Sequence, residues 1–118
     1  MEAARELGVV RYVMVSSMGT EDAEHAGPMR PYLEAKRDAD DALRESGLDW
    51  TIVRPGGLTD APGTGTVDAA RALGRHGQIT RDDTALTVLE ALLQPATIGV
   101  AFDVLEGPTP VAEALRAL

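Results

Sequence analysis

The 118-residue chain contains no cysteine, which excludes a disulfide framework and any thiolate nucleophile or thiolate metal site. Aromatic residues are scarce. Only Trp50, Tyr12, Tyr32 and Phe102 are present, so a core has to be assembled from Val, Leu, Ile and Ala. Basic residues number 11 against 19 acidic ones, for a net charge of −8. That balance argues against nucleic acid or an anionic membrane surface as a partner, while leaving room for a local cationic pocket that takes a phosphate. The longest apolar runs are four or five residues, far short of the roughly 20 needed to span a bilayer. Met1 is followed by Glu2 and a helix-like run instead of a basic stretch and an apolar core, so no signal peptide is expected. Together these absences lead us to expect a soluble, cytoplasmic protein.

What is there has the make-up of an ordinary globular chain, 44% apolar and 25% charged. It is one domain in length, enough to bury roughly two thirds of its unfolded surface. Residues 2–7 look like the end of a helix closed by Gly8. Val9 to Val15 is a nearly continuous β-rich run, the pattern of a strand covered on both faces of a parallel sheet, and Ser16, Ser17 and Gly19 end it. After a polar loop, helical periodicity places Met29, Leu33, Ala39, Ala42 and Leu43 on related faces. Gly47 stops that helix, with Leu48 where a Schellman closure would set it against Leu43. Trp50 to Val53 is a second strand, ended by Arg54-Pro55-Gly56-Gly57. Strand, helix and strand in this order predict a right-handed parallel crossover.

Residues 58–78 read as a long loop with a short helix around Ala69–Leu73, and loops of that length are often functional. Thr80 and Asp83 suit a capping box opening a helix with Leu86, Leu89, Leu92 and Leu93 turned inward. Gly99 to Leu105 is a third strand, and Pro110 to Leu118 a last short helix. The fold class is α/β, about three strands with flanking helices. The first strand is the most apolar of the three and nothing precedes it to pair with its other edge. Such an edge is an aggregation hazard, so self-association through it is expected.

Several residues could carry chemistry. Tyr32 and Lys36 lie one turn apart on one helix face. A nearby ammonium stabilises a phenolate and brings tyrosine toward the range of general acid–base work. Ser16 and Ser17 stand at the carboxyl end of the first strand, where open α/β sheets form their ligand crevice. A hydroxyl there could hold a carbonyl oxygen as charge develops on it. Pro55-Gly56-Gly57 ends the second strand at the same edge, and glycine lets backbone approach a flat ligand closely. Singly, each feature has a plain structural reading: a strand terminator, a chance helix pair, a common turn. Isolated His25 and His76 read as surface histidines. Asp38, Asp40, Asp41 and Arg44 read as the solvated face of the Tyr32 helix, and Asp82-Asp83 as charge complementing a helix dipole.

In combination and in this order, the sequence resembles the short-chain dehydrogenase/reductase superfamily. It is most similar to the atypical NAD(P)-binding branch described as NAD-dependent epimerase/dehydratase-like or NmrA-like. The stretches that carry the resemblance are Arg11-Tyr-Val-Met-Val-Ser-Ser17, Tyr32-Leu-Glu-Ala-Lys36, Asp49-Trp-Thr-Ile-Val-Arg-Pro-Gly-Gly57, Ile79-Thr-Arg-Asp-Asp83 and Pro95-Ala-Thr-Ile-Gly99 into Phe102. It implies a catalytic set of Ser17, Tyr32 and Lys36. Tyr32 would be the general acid/base, Lys36 would hold the nicotinamide ribose, and Ser17, or failing it Ser16, would orient the substrate oxygen. It also implies that Tyr32, Lys36, Pro55, Gly56 and Leu58 contact an NAD or NADP cofactor, and that Thr59 to about Gln78 covers a small-molecule substrate. No metal is implied.

One part of the superfamily pattern is missing. A Gly-x-x-Gly-x-x-Gly loop between a first strand and helix would seat the pyrophosphate, and this sequence has none. Gly63-x-Gly65 lies in a late loop and fails that context. The resemblance therefore implies the C-terminal portion of a Rossmann-like doubly wound parallel sheet, a single partial domain over residues 1–118. On that reading the enzyme is truncated and inactive alone. The alternative is a non-catalytic NAD(P)-fold binding or regulatory module of NmrA type.

Overall fold

The computed structural model describes residues 10–20 and 27–118. The expected helix over residues 2–7 with Gly8, the start of the first strand at Val9, and His25 lie outside the described residues.

The three β-rich runs are the parallel strands β1 (Arg11–Val15), β2 (Asp49–Pro55) and, late in the chain, β6 (Val100–Glu106). β1 pairs with β2 from Arg11↔Asp49 to Val15↔Val53, and β2 pairs with β6 from Thr51↔Val100 to Pro55↔Val104. All three carboxyl ends therefore finish side by side. Helix α1 (Arg30–Arg44) supplies the crossover from β1 to β2, with Pro31 in its first turn, where a missing N–H costs nothing. Beyond α1, Gly47 takes the left-handed conformation at φ +79°. The Leu48 N–H then bonds Ser46 Oγ at 3.2 Å, so the exit is built by serine and not by the expected Schellman closure.

The segment read as a loop with a short helix is loop interrupted by short strands. β3 (Gly57–Thr59) pairs in parallel with β5 (Gln78–Thr80) as a separate two-stranded sheet. Where a helix was expected around Ala69, β4 (Thr66–Ala70) runs antiparallel to β6 and also pairs with β7 (Thr109–Pro110). The main sheet is thus ordered β1-β2-β6-β4-β7. Local propensity could not reveal β4, because its short Thr-Val-Asp-Ala-Ala run gains its ladders from β6 and β7, more than 30 residues away.

Helices α2 (Arg81–Leu93) and α3 (Val111–Arg116) complete the fold. Strand residues alternate between faces. Val13, Val53, Phe102 and Val104 point to the side of α2 and α3, where they pack with Ala91, Val111, Ala114 and Leu115. Ile52 and Arg54 alternate to the opposite side, which carries α1 with its buried Leu33 and Leu43. Arg11 ties the α2 side together: its guanidinium donates to the carbonyls of Asp49 and Ala91 and to the hydroxyls of Thr51 and Thr97, all at 2.8–2.9 Å.

Two expected faces are corrected. Thr80 does cap α2, accepting the Asp83 N–H at 2.9 Å. Of the four leucines expected inward, Leu86 packs against the core, but the helix otherwise turns Asp83, Thr84, Thr87 and Ala91 inward and leaves Leu89, Leu92 and Leu93 at 53%, 47% and 66% exposure. Thr84 and Thr87 bury because their hydroxyls return to the helix carbonyls of Thr80 and Asp83. On α1, Asp40 is buried and not part of a solvated face, whereas Met29 and Ala42 are exposed.

Candidate functional site

The carboxyl ends of β1, β2 and β6 are laced together beyond the strands themselves. Ser16 N–H bonds Val53 O at 2.7 Å, Met18 N–H bonds Pro55 O at 3.1 Å, and Gly56 N–H bonds Val104 O at 3.3 Å. Two adjoining clefts open above this seam. The smaller, about 200 Å³, is lined by Ser17, Met18, Pro55, Gly56, Gly57, His76 and Gly77. The larger, about 360 Å³, runs from Met18, Gly19 and Thr20 past Arg54 and Asp103 to Ala72, Gly74, Arg75 and His76. Met18 and His76 border both.

Of the residues singled out in the sequence, Ser17, Pro55 and Gly56 come together in the smaller cleft. Ser16 does not compete with Ser17 for a ligand, because it is buried and its Oγ donates to Asp40 Oδ2 at 2.9 Å. Tyr32 and Lys36 share a face of α1, with the Lys36 ammonium over the Tyr32 ring, 5.8 Å from its centroid. The Tyr32 side is half exposed, and neither residue lines either cleft. Leu58 is 41% exposed and also lies outside both linings.

The floor of the smaller cleft is bare backbone by necessity. A Cβ at Gly56 would stand 2.5 Å from the Gly77 carbonyl oxygen and would also strike Leu105. The close approach lets Gly57 N–H bond Gly77 O at 3.0 Å and starts the β3–β5 pairing. Gly56, Gly57 and Gly77 thus bring bare backbone to the cleft beside Pro55, where a ligand can approach it closely.

Three features of the site had weak or no signal in the sequence. Asp40 is one. Its Oδ1 is buried with no hydrogen-bond partner among the described residues. Burial holds its carboxyl above the ordinary carboxylate range, outweighing the Ser16 hydrogen bond and the attraction of Arg44 and Arg54. Through Ser16 it joins the helix carrying Tyr32 and Lys36 to the strand end carrying Ser17. The second is a buried ion pair between register partners, Arg54 Nε to Asp103 Oδ1 at 2.8 Å. Both members also reach the loop above them: Arg54 Nη2 donates to Arg71 O at 2.7 Å, and Asp103 Oδ2 accepts the Leu73 N–H at 3.1 Å. The third is His76, exposed as expected of a surface histidine but positioned where the two clefts meet.

Asp83 does more than complement the α2 dipole. Its carboxylate accepts the backbone N–H groups of Thr64 and Gly65 at 3.0 and 2.9 Å, folding the Gly63–Gly65 turn over the helix start. Burial opposes its charge, but these two N–H donors and the Thr80 and Thr64 hydroxyls outweigh it, so its pKa lies below the ordinary value. Among the described residues no three His, Asp or Glu side chains are placed to hold a metal ion, and no helix is long and apolar enough to cross a membrane.

Residues 1–95 match the profile of a family described as NAD(P)H-binding. The whole chain is 49% identical to the uncharacterized sugar epimerase YhfK of Bacillus subtilis, covering 55% of that protein. It superposes over 99% of its length on a Bacillus halodurans structure assigned to the NAD-dependent epimerases/dehydratases, with TM-score 0.95 and 44% identity, covering 56% of that chain. The oxidoreductase YlbE of Lactococcus lactis superposes with TM-score 0.90 and 31% identity, and 55% of it is covered. The chain thus spans about half the length of the relatives it matches. The parallel strand ends, the glycine-floored cleft and these matches agree: the chain belongs to the NAD(P)H-binding family of oxidoreductase- and epimerase-like proteins with a Rossmann-like fold.

Proposed function

We propose that this chain is the substrate-side half of an NAD(P)-dependent oxidoreductase or epimerase, inactive alone. The observation that carries the reading is the meeting of Ser17, Pro55 and Gly56 in one cleft at the carboxyl ends of parallel strands. The smaller cleft, where Gly56, Gly57 and Gly77 stand beside Pro55, would take the nicotinamide end of the cofactor. When bound, the cofactor would supply or accept hydride. Pro55 and Gly56 would hold its ring, with Leu58 beside them, and Lys36 would bind its ribose. Ser17 would hold the substrate oxygen by a hydrogen bond, and Tyr32 would donate or accept the proton at that oxygen. The sequence holds no phosphate-seating glycine loop, which supports the reading that this half does not hold the cofactor by itself.

A second reading, a non-catalytic regulatory module of NmrA type, is favoured by one observation: Tyr32 and Lys36 line neither cleft. Two measurements separate the readings. Fluorescence titration of the 118-residue chain with NADPH should show no saturable binding, and micromolar binding would refute the inactive-half reading. In the chain extended to the length of its relatives, Tyr32→Phe should abolish NAD(P)H-dependent reduction while leaving NADPH affinity in place. Unchanged turnover in that variant removes Tyr32 from the chemistry. We further propose a small-molecule partner, with neither nucleic acid nor membrane, and self-association through the edge of β1 that no described strand covers.

A further inference from the structure

The chain carries a net charge of −8, yet the lining of the larger cleft runs the other way. Arg54 and Arg75 against Asp103 give two positive charges and one negative, +1 before His76 is counted. The Arg54 charge is matched by Asp103 beneath the floor. Arg75 is different. Among the described residues its Nη2 is engaged by Asp68 at 2.6 Å, in a pair whose members are 49% and 42% exposed. Asp68 stands outside the lining, and an exposed pair of this kind exchanges partners at little cost. The rest of the guanidinium reaches inward, with Nη1 lying 3.4 Å from where a Cβ on Gly77 would be. His76 makes no hydrogen bond to any described residue, and its imidazole borders both clefts.

These groups are not on a loose loop. Residues 71–77 are fixed at three points: Arg71 O by Arg54, Leu73 N–H by Asp103, and Gly77 O by Gly57 N–H. A pinned loop presenting a guanidinium and an open imidazole into a cleft of about 360 Å³ is preorganised for an oxyanion. We infer that the larger cleft binds the anionic group of a small substrate, a carboxylate or a phosphate ester, with Arg75 and His76 as the residues that hold it. This assignment rests on the reading of the neighbouring cleft as the nicotinamide side, which turns the reacting end of the substrate toward Ser17 and its anion away from it.

The test is titration of the 118-residue chain with benzoate and, separately, with inorganic phosphate, against sodium chloride at matched ionic strength. The readout is the imidazole carbon–proton resonances of His76, assigned by their loss in His76→Gln. A saturable shift of the His76 signal with millimolar midpoint, absent with chloride, is expected for one or both probes. Benzoate alone identifies a carboxylate substrate, and phosphate alone identifies a phosphate ester. Arg75→Gln should weaken the midpoint about fivefold, the size of one exposed charge contact. Shifts no larger than those with chloride, or a midpoint indifferent to Arg75→Gln, overturn the assignment. Because no nucleotide is present, a negative result removes the anion site and leaves the nicotinamide reading to the NADPH experiment.

Discussion

Removing one member of the Arg54–Asp103 pair should separate stability from site geometry. Arg54 is only 3% exposed, and its Nε contacts Asp103 at 2.8 Å. Two charges about 4 Å apart attract by about 4 kcal/mol at an effective dielectric of 20, and the desolvation of both largely offsets this. Asp103→Ala removes the buried carboxylate that Arg54 Nε donates to, and breaking a buried pair by removing one member costs about 3–5 kcal/mol, a large share of the total stability of about 5–15 kcal/mol expected for a small domain. The double variant Arg54→Met with Asp103→Leu removes both charges and keeps the volume, so it should recover at least about 2 kcal/mol of that loss. Urea unfolding at low temperature, followed by circular dichroism, measures all three. The binding site should not recover with stability, because Arg71 O and Leu73 N–H lose their anchors in the double variant as well. Benzoate or phosphate affinity should therefore stay weakened although the fold is restored. An Asp103→Ala cost below about 1 kcal/mol, or a double variant no more stable than the single, would refute the reasoning that a buried pair is held by mutual dependence.

Other outcomes follow from single contacts. Asp83 has a folded-state pKa below its unfolded value, so its contribution is present above about pH 4 and is lost as pH falls through the folded value. Asp83→Asn should cost about 2 kcal/mol at pH 7 and progressively less in acid, where the wild type loses the same interaction. An equal deficit at pH 7 and pH 3 contradicts this. Gly56→Ala should destabilise by about 1–3 kcal/mol, since its Cβ meets backbone at Gly77 and the side chain of Leu105. It should also displace Gly77 and with it the His76 resonance; a wild-type melting temperature and spectrum would show that the close approach is dispensable. The edge of β1 that no described strand covers and the exposed leucines of α2 should give concentration-dependent association in sedimentation velocity, which a clean monomer at every concentration would rule out.

The sequence by itself determined the three parallel strands, the α1 crossover, the Thr80 cap and the placement of Ser17, Pro55 and Gly56 at one end of the sheet. These depend on contiguous apolar runs, short-range capping chemistry and the handedness of a strand–helix–strand unit, all written locally in the chain. Tertiary structure decided the rest. β4 has its ladders only because β6 and β7 return beside it. Asp40 looks like a solvated helix residue until Ser16 of another strand is placed against it. Thr84 and Thr87 take inward positions on α2 because their hydroxyls are satisfied within the helix, while Leu89, Leu92 and Leu93 are exposed. His76, isolated in the sequence, became part of two clefts because Arg54 and Asp103, 49 positions apart, jointly hold its loop. Such contacts between distant positions leave no periodic trace, since each partner's role is set by a neighbour the local sequence does not contain.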